Sequence, residues 1–298
     1  MILLARLLAF LLFWIPRAYA LDRYPLRTGQ EVFGEILYYT VSGNETLLDV
    51  ARAYDLGYNQ IVLANPGVDP WLPPPGKRLL IPKEFVLPEG PYTGILVNLP
   101  EMRLYYFRKE GSERVVYTAP IGIGTDGRLT QEGIYTVYRK KVHPSWHVPE
   151  SIRKEDPTLP EVVPPGPDNP LGDYALYLSR GAYAIHGTNK PWGIGRRVSH
   201  GCIRLYPEDI AALFPLVPVG TPVKVLYQPI KLGVKENKVY LQVFPDIEKR
   251  LSAPLLEVIH LAARLEKESG KDLLLHLFIV RQVLEKANGV PTVVGKAR

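Results

Sequence analysis

The only cysteine in the 298-residue chain, Cys202, lies in a stretch that also carries His186 and His200. Gly187, Gly193, Gly195, Ser199 and Gly201 surround them. A thiol, imidazoles and closely placed backbone N–H groups are the parts of a covalent acyl-transfer site. An amide is hard to break directly. A thiolate can attack its carbonyl, expel the amine and leave a thioester for a second amine to capture. The thiol then needs a base that takes its proton and later protonates the leaving amine. It also needs N–H donors aimed at the developing oxyanion. Gly201 precedes Cys202, so the amides of this turn can converge on one point without a Cβ in the way. Spacing alone leaves the base open. His200 is two residues from Cys202 and would share one side of a strand with it. His186 is on a different segment and would have to reach across.

Composition bounds where such a thiol works. Hydrophobic residues make up 46% and charged residues 22%, which is normal for a folded chain of two or three domains. The net charge is +6, spread out without a long basic run. That argues against nucleic-acid binding and suits an anionic polymer or membrane surface. Leu7–Ile15 is an apolar run after Arg6, followed by Pro16 and by Ala18-Tyr19-Ala20, a small-x-small cleavage pattern. Residues 1–20 are therefore expected to be a signal peptide, with the mature chain starting near Leu21 outside the cytoplasm. In an oxidising compartment cysteines usually pair, and a single one per chain is inert and buried, bridged to another molecule, or reactive.

The elements that must position the stretch follow in order. Residues 21–36 read as an extended lead. Residues 37–83 read as a βααβ module: a β-rich run at 37–41, a turn in which Asn44 or Thr46 caps a helix, apolar residues from Leu47 to Tyr54 at helical spacing, the cluster 61–64, and a closing strand at 79–82. Residues 83–91 read as a linker. From 92 to 228 short β-rich runs dominate, with a helix starting at Pro207, so a mainly β, sandwich-like domain is expected. Its Gly122–Gly127 loop lacks the ending of a nucleotide-binding loop. Its 143–172 segment is proline-rich and irregular, a candidate wall or lid of a substrate cleft. His143 and His147 there are expected to be ordinary loop residues, and no cluster has zinc-ligand spacing. Residues 229–298 read as an α+β extension, a hairpin and then two helical patterns at 253–268 and 271–288.

Two resemblances sharpen this. Tyr39-Thr40-Val41, Gly43, Thr46-Leu47, Ala51, Tyr54, Ile61, Ala64-Asn65-Pro66, Leu72, Gly76 and Leu79-x-Ile81-Pro82 resemble a LysM domain, which implies binding to the glycan strands of peptidoglycan. His186-Gly187-Thr188 followed by Ser199-His200-Gly201-Cys202-Ile203-Arg204 resembles the signature of the L,D-transpeptidase (YkuD-type) catalytic domain. Gly122-Ile123-Gly124, Thr130-x-Glu132-Gly133 and Pro144-Ser145-Trp146 extend the likeness over about 95–227. This second resemblance implies that Cys202 is the nucleophile and His186 the base. It implies that the Gly187 carbonyl orients His186 and that backbone N–H groups near His200, Gly201 and Cys202 form the oxyanion hole. Ser199 would shape the turn, while Arg204, Tyr183 and Trp146 would meet the substrate. The implied donor is the stem tetrapeptide of peptidoglycan, and no metal or organic cofactor is implied. The implied acceptor is a stem-peptide amine or a lysine of an envelope lipoprotein; with water the enzyme would be an L,D-carboxypeptidase. Carbapenem-type inhibitors would acylate Cys202. A different class, a glycan-binding wall protein without activity, would need only the LysM module and no reactive thiol.

Overall fold

The computed structural model describes residues 21–181 and 183–298. The signal peptide expected over 1–20 lies outside the described residues. Alternation along the strands decides the architecture. On Gly94–Asn98 and Arg103–Glu110, Ile95, Val97, Leu104 and Tyr106 enter one core, while Leu96, Tyr105 and Phe107 enter another on the opposite face. Apolar residues on both faces require cover on both sides.

The strands form one nine-membered ladder. Its order is Asp22–Pro25, Glu113–Pro120, Arg103–Glu110, Gly94–Asn98, Pro222–Leu226, Gly133–Val142, Tyr174–Leu178, Ala184–His186 and Ile203–Arg204. Ile95 and Leu104 share a core with Leu176, Ile185 and Ile203 from the far part of the ladder, so the sheet curls around that core. The interior expected between two sheets thus forms inside one mainly β ladder. Helix Pro207–Leu216 closes it with Ile210 and Leu213. The expected lead at 21–36 is partly sheet: Asp22–Pro25 pairs with the 113–120 strand as its edge.

A βααβ unit covers the other face. Val32–Thr40 pairs antiparallel with Arg78–Val86, and helices Leu47–Ala53 and Tyr58–Ala64 lie between them in the chain. Of the two candidate caps, Thr46 serves. Asp49 N–H donates to Thr46 Oγ1 at 3.2 Å and Thr46 N–H donates to Asp49 Oδ2 at 2.8 Å, a reciprocal capping box. Asn65 ties the second helix to the closing strand through Ile61 O, Leu80 O and Leu80 N–H. The strand pair opens before Leu37 and runs past Lys83, so part of the expected 83–91 linker is strand. The cause is burial: Val32, Phe33, Phe85 and Val86 are all inside. Phe33, Leu47, Ile61, Ile81 and Phe85 share their core with Leu96, Tyr105 and Phe107 of the large sheet.

The C-terminal unit has its own core and a four-stranded sheet in the order Ile230–Lys235, Lys238–Val243, Thr292–Ala297 and Leu273–Leu275, with helices Pro254–Ser269 and Leu277–Lys286. The helical pattern expected at 271–288 is corrected here. Leu273–Leu275 pairs with Leu275↔Gly295 and its neighbours, and the helix begins only after His276. A three-residue apolar run looks the same in a strand and in a helix until a partner strand is present. No helix among the described residues is long and apolar enough to cross a membrane.

Candidate active site

The large sheet brings the two parts of the reactive stretch together at one edge. Ala184–His186 pairs antiparallel with Tyr174–Leu178 on one side and parallel with Ile203–Arg204 on the other. In that parallel register His186 lies opposite Arg204. Cys202 is the residue immediately before this strand and is partly exposed. Cys202, His186, Ser199, His200 and Arg204 line one cleft of about 1120 Å3, together with Trp146 and Tyr183.

His186 is buried, and its Nδ1 donates to the Gly187 carbonyl at 2.7 Å. A carbonyl only accepts, so Nδ1 carries the hydrogen and Nε2 is the nitrogen able to take a proton. Burial first, and then the neighbouring Arg204 guanidinium, push the imidazole pKa down to about 4. Burial pushes the Cys202 thiol up, opposed by a backbone hydrogen bond at Ala184 and by Arg204. Near neutrality the two groups therefore rest as thiol and neutral imidazole.

Gly187 and Gly201 are buried behind the cleft, and each is glycine for a steric reason. A Cβ on Gly187 would meet Ile210 at 3.1 Å. Gly201 has φ +104°, and a Cβ there would meet the Tyr183 ring at 2.8 Å. Tyr183 is thus a floor under the turn as well as part of the cleft wall. Its ring meets Tyr135 edge-on at 6.1 Å. Ser199 clamps the same turn, donating to Cys202 O at 2.5 Å and accepting from Gly201 N–H at 3.2 Å. The Gly201 N–H is therefore engaged within the turn, which takes it out of the oxyanion set.

Arg204 is held by its backbone, which exchanges two hydrogen bonds with Gly122 at 2.8 and 2.9 Å. Among the described residues no carboxylate pairs with its guanidinium, and its Nε is buried without a hydrogen-bond partner. His200 stands at the cleft edge, with Nε2 3.7 Å from Glu155 Oε2. Burial and the cations Arg128 and Arg204 lower its pKa.

The proline-rich segment forms the facing wall and is less irregular than its composition suggests. Trp146–His147 pairs with Val162–Val163, and helix Glu150–Glu155 lies between them. Buried Asn169 staples the segment, donating to Pro144 O at 2.7 Å and Pro164 O at 3.0 Å while accepting from Leu171 N–H at 2.9 Å. Arg128 forms an ion pair with Glu155 and so joins the wall to the opposite rim. His143 and His147 are both exposed; His143 is a loop residue that contacts Asp173, but His147, expected in a loop, belongs to the short strand paired with Val162 and lines the cleft. Asn169, Arg128, Glu155 and the pair Arg139–Tyr177 were not singled out from sequence. Arg139 lies opposite Tyr177 in register, its guanidinium 4.3 Å from the ring centroid, and both line the cleft. Alternation places each on a strand face, but only the register makes them neighbours.

The two glycine-rich loops act as backbone supports. Ile123–Gly124 pairs in parallel with Arg197–Ser199. Gly195, φ +78°, receives the second helix of the βααβ unit: Tyr58 N–H donates to Ile194 O at 3.1 Å and Asn59 N–H to Gly195 O at 3.3 Å. The Arg196 guanidinium lies 3.8 Å from the Tyr58 ring centroid. The reactive stretch is thus pinned from behind by the neighbouring unit.

Comparison with known proteins agrees with this placement. The family model described as the L,D-transpeptidase catalytic domain (YkuD) matches residues 92–225, which contain the whole cleft. The Salmonella typhimurium protein named "Probable L,D-transpeptidase ErfK/SrfK" is 39% identical over 293 residues, 92% of this chain and 92% of that one. The Escherichia coli protein named "Probable L,D-transpeptidase YbiS" is 47% identical over 216 residues, 70% of each chain. The E. coli protein named "Probable L,D-transpeptidase YcfS" is 41% identical over 218 residues, 70% of this chain and 68% of that one. Because the first of these likenesses runs nearly end to end in both chains and includes the thiol-bearing edge of the sheet, the protein belongs to the L,D-transpeptidase family and is an enzyme of that kind.

Proposed function

We propose that this protein is an exported cysteine L,D-transpeptidase acting on peptidoglycan stem tetrapeptides. Cys202 attacks the carbonyl at the L-centre of the third stem residue while His186 Nε2 takes the thiol proton. The tetrahedral oxyanion is met by backbone N–H groups of the 200–202 turn other than that of Gly201. The carbon–nitrogen bond breaks, the imidazolium returns its proton to the leaving D-Ala amine, and a thioester remains on Cys202. An acceptor amine then attacks the thioester, gives its proton to His186, and the thiol is restored. The acceptor is a stem-peptide side chain, giving a 3→3 cross-link, or a lysine of an envelope lipoprotein. Arg204 holds a substrate carboxylate, and Trp146 and Tyr183 flank the stem. The βααβ unit serves as a LysM module that concentrates the enzyme on glycan strands. Carbapenem-type compounds acylate Cys202.

The observation that carries this reading is one cleft lined by Cys202, buried His186 and Arg204, whose Nε is buried without a hydrogen-bond partner among the described residues, inside the segment matched by the family model. The test is to incubate the protein with disaccharide-tetrapeptide, with and without an amine acceptor, and weigh the products and the enzyme. The expected result is D-Ala release through an acyl adduct on Cys202. In Cys202→Ala the adduct disappears and turnover falls by at least about 1,000-fold. Full activity in that variant would sink the assignment. Hydrolysis in the presence of excess amine would instead identify an L,D-carboxypeptidase.

A further inference from the structure

Leu21, the residue at which the export pattern places the cut, is buried at 5% exposure in the core of the large sheet. Its backbone N–H points at a buried acidic pair. It donates to Asp209 Oδ1 at 3.1 Å, and the next N–H, that of Asp22, donates to Asp55 Oδ2 at 3.2 Å. Asp209 is 1% exposed and Asp55 5%. The second oxygen of each, Asp209 Oδ2 and Asp55 Oδ1, is buried without a hydrogen-bond partner. Two buried carboxyl groups in contact need a shared proton or a cation between them.

With a neutral amide there, the charges around this spot balance only if one carboxyl of the pair keeps a proton. Asp22, Asp55 and Asp209 supply three carboxylates. Lys83, which pairs with Asp22, and Arg103, which donates to Asp55 O at 2.8 Å, supply two cations. Burial pushes the carboxyl of Asp55 up to about 6 and that of Asp209 well above the ordinary carboxylate range. One further cation would replace that proton, leave both carboxyls ionised and give the orphaned oxygens a donor. Leu21 also has φ +65°, a left-handed conformation that a leucine adopts at a cost. That torsion is defined by the preceding carbonyl carbon, so cleavage before Leu21 removes the strain.

We propose that the mature N-terminus is the α-ammonium group of Leu21, locked as a buried counterion to Asp209 and Asp55. The proposal rests on the export reading above. Hydrolysis of the Ala20–Leu21 bond by a leader endopeptidase consumes one water. The oxygen leaves with the Ala20 carboxylate, and Leu21 keeps the nitrogen, protonated at neutral pH. Where the precursor offers one N–H, the product offers three and a positive charge. The lock bears on the reactive edge of the sheet. Asp209 sits in the first turn of helix Pro207–Leu216, and Ile210, the next residue, packs against Gly187, whose carbonyl orients His186. Leader removal then completes the support of the base, so that the enzyme matures where its substrate is.

The test starts with the intact mass of the protein recovered from the envelope. Retention of residues 1–20 would overturn leader removal and with it this inference, and a cut elsewhere would overturn this inference alone. The Leu21 form is then compared with the same form N-acetylated at Leu21 and with one carrying Ala20 as an extra residue. The expected loss is about 4 °C or more in Tm for both blocked forms. In Asp209→Asn, or in Asp55→Asn should the first fold poorly, the gap between free and acetylated forms is expected to shrink to about 1 °C or less. The folded Leu21 amine should also resist an amine-reactive acylating reagent that modifies it after unfolding. Equal Tm values for free and acetylated forms, or ready labelling of the folded amine, would overturn the lock. Adduct formation on Cys202 with disaccharide-tetrapeptide, measured on the same samples, reports separately on the catalytic reading.

Discussion

The proposed catalytic pair, Cys202 and His186, is set by what surrounds the two side chains. His186 is neutral at physiological pH because burial and Arg204 both oppose its charge, and its usable nitrogen is fixed by Gly187 O. With a pKa of about 4, kcat/KM for transpeptidation should stay level from pH 7 down to about 5 and fall only near 4. Arg204→Met removes a cation that disfavours imidazolium, so the acid limb should move to higher pH while KM for a stem carboxylate rises. An unmoved limb would show that Arg204 does not act on His186. Stability carries the same sign. The unfolded imidazole takes a proton near 6.5 and the folded one near 4, so the folded state should lose up to about 3 kcal/mol as pH falls through that window. Thermal unfolding against pH, compared with His186→Gln, measures it.

At the scale of elements, backbone contacts rather than side chains hold the reactive stretch. The 191–199 loop sits between the Ile123–Gly124 strand and the helix that begins at Tyr58. Gly195 is where the loop and the helix meet. A Cβ there would lie 2.2 Å from Tyr58 N, and the φ of +78° is already unfavourable for any other residue. Gly195→Ala should therefore push the βααβ unit away, cost about 2 kcal/mol or more, and slow acylation of Cys202 although it touches no substrate. Denaturant unfolding and acylation by a chromogenic β-lactam would check both effects. Gly111→Ala is the control, since φ there is +60° but nothing lies within 4 Å of the added carbon.

Across the whole molecule, buried charges join units that each have their own core. Lys231 of the C-terminal sheet and Glu101, in the turn between the Gly94–Asn98 and Arg103–Glu110 strands of the large sheet, are fully buried and pair at 2.7 Å, with Tyr105 Oη donating to Glu101 at 2.5 Å. Lys231→Met leaves a carboxylate without its cation in the interior, and a loss of about 3–5 kcal/mol is expected. Adding Glu101→Gln should recover much of it, because the double variant buries no unpaired charge. Strict additivity of the two losses would show that the pair does not couple the sheets. Arg103 does the same between the large sheet and the βααβ unit, donating to Thr118, Asp55 O and Gln60. These links make the position of one unit depend on the others.

What was legible in the sequence is what short-range chemistry dictates. The single cysteine with two histidines and glycines, the alternation of the strands, a helix cap at Asn44 or Thr46 and the helix starting at Pro207 are local patterns, readable without knowing what packs where. Resemblance added the choice of His186 over His200, which spacing could not make. The fold decided the rest, because the rest depends on register and burial. Whether 273–275 is helix or strand is set by the 292–297 strand beside it. Arg139 finds Tyr177, and His186 finds Arg204, only once four strands are paired. The depressed pKa of His186 and the acidic pair waiting at Leu21 likewise come from desolvation, which a linear sequence cannot express. Identity and spacing determined which groups this protein has for chemistry, and tertiary packing decided their charge states and their partners.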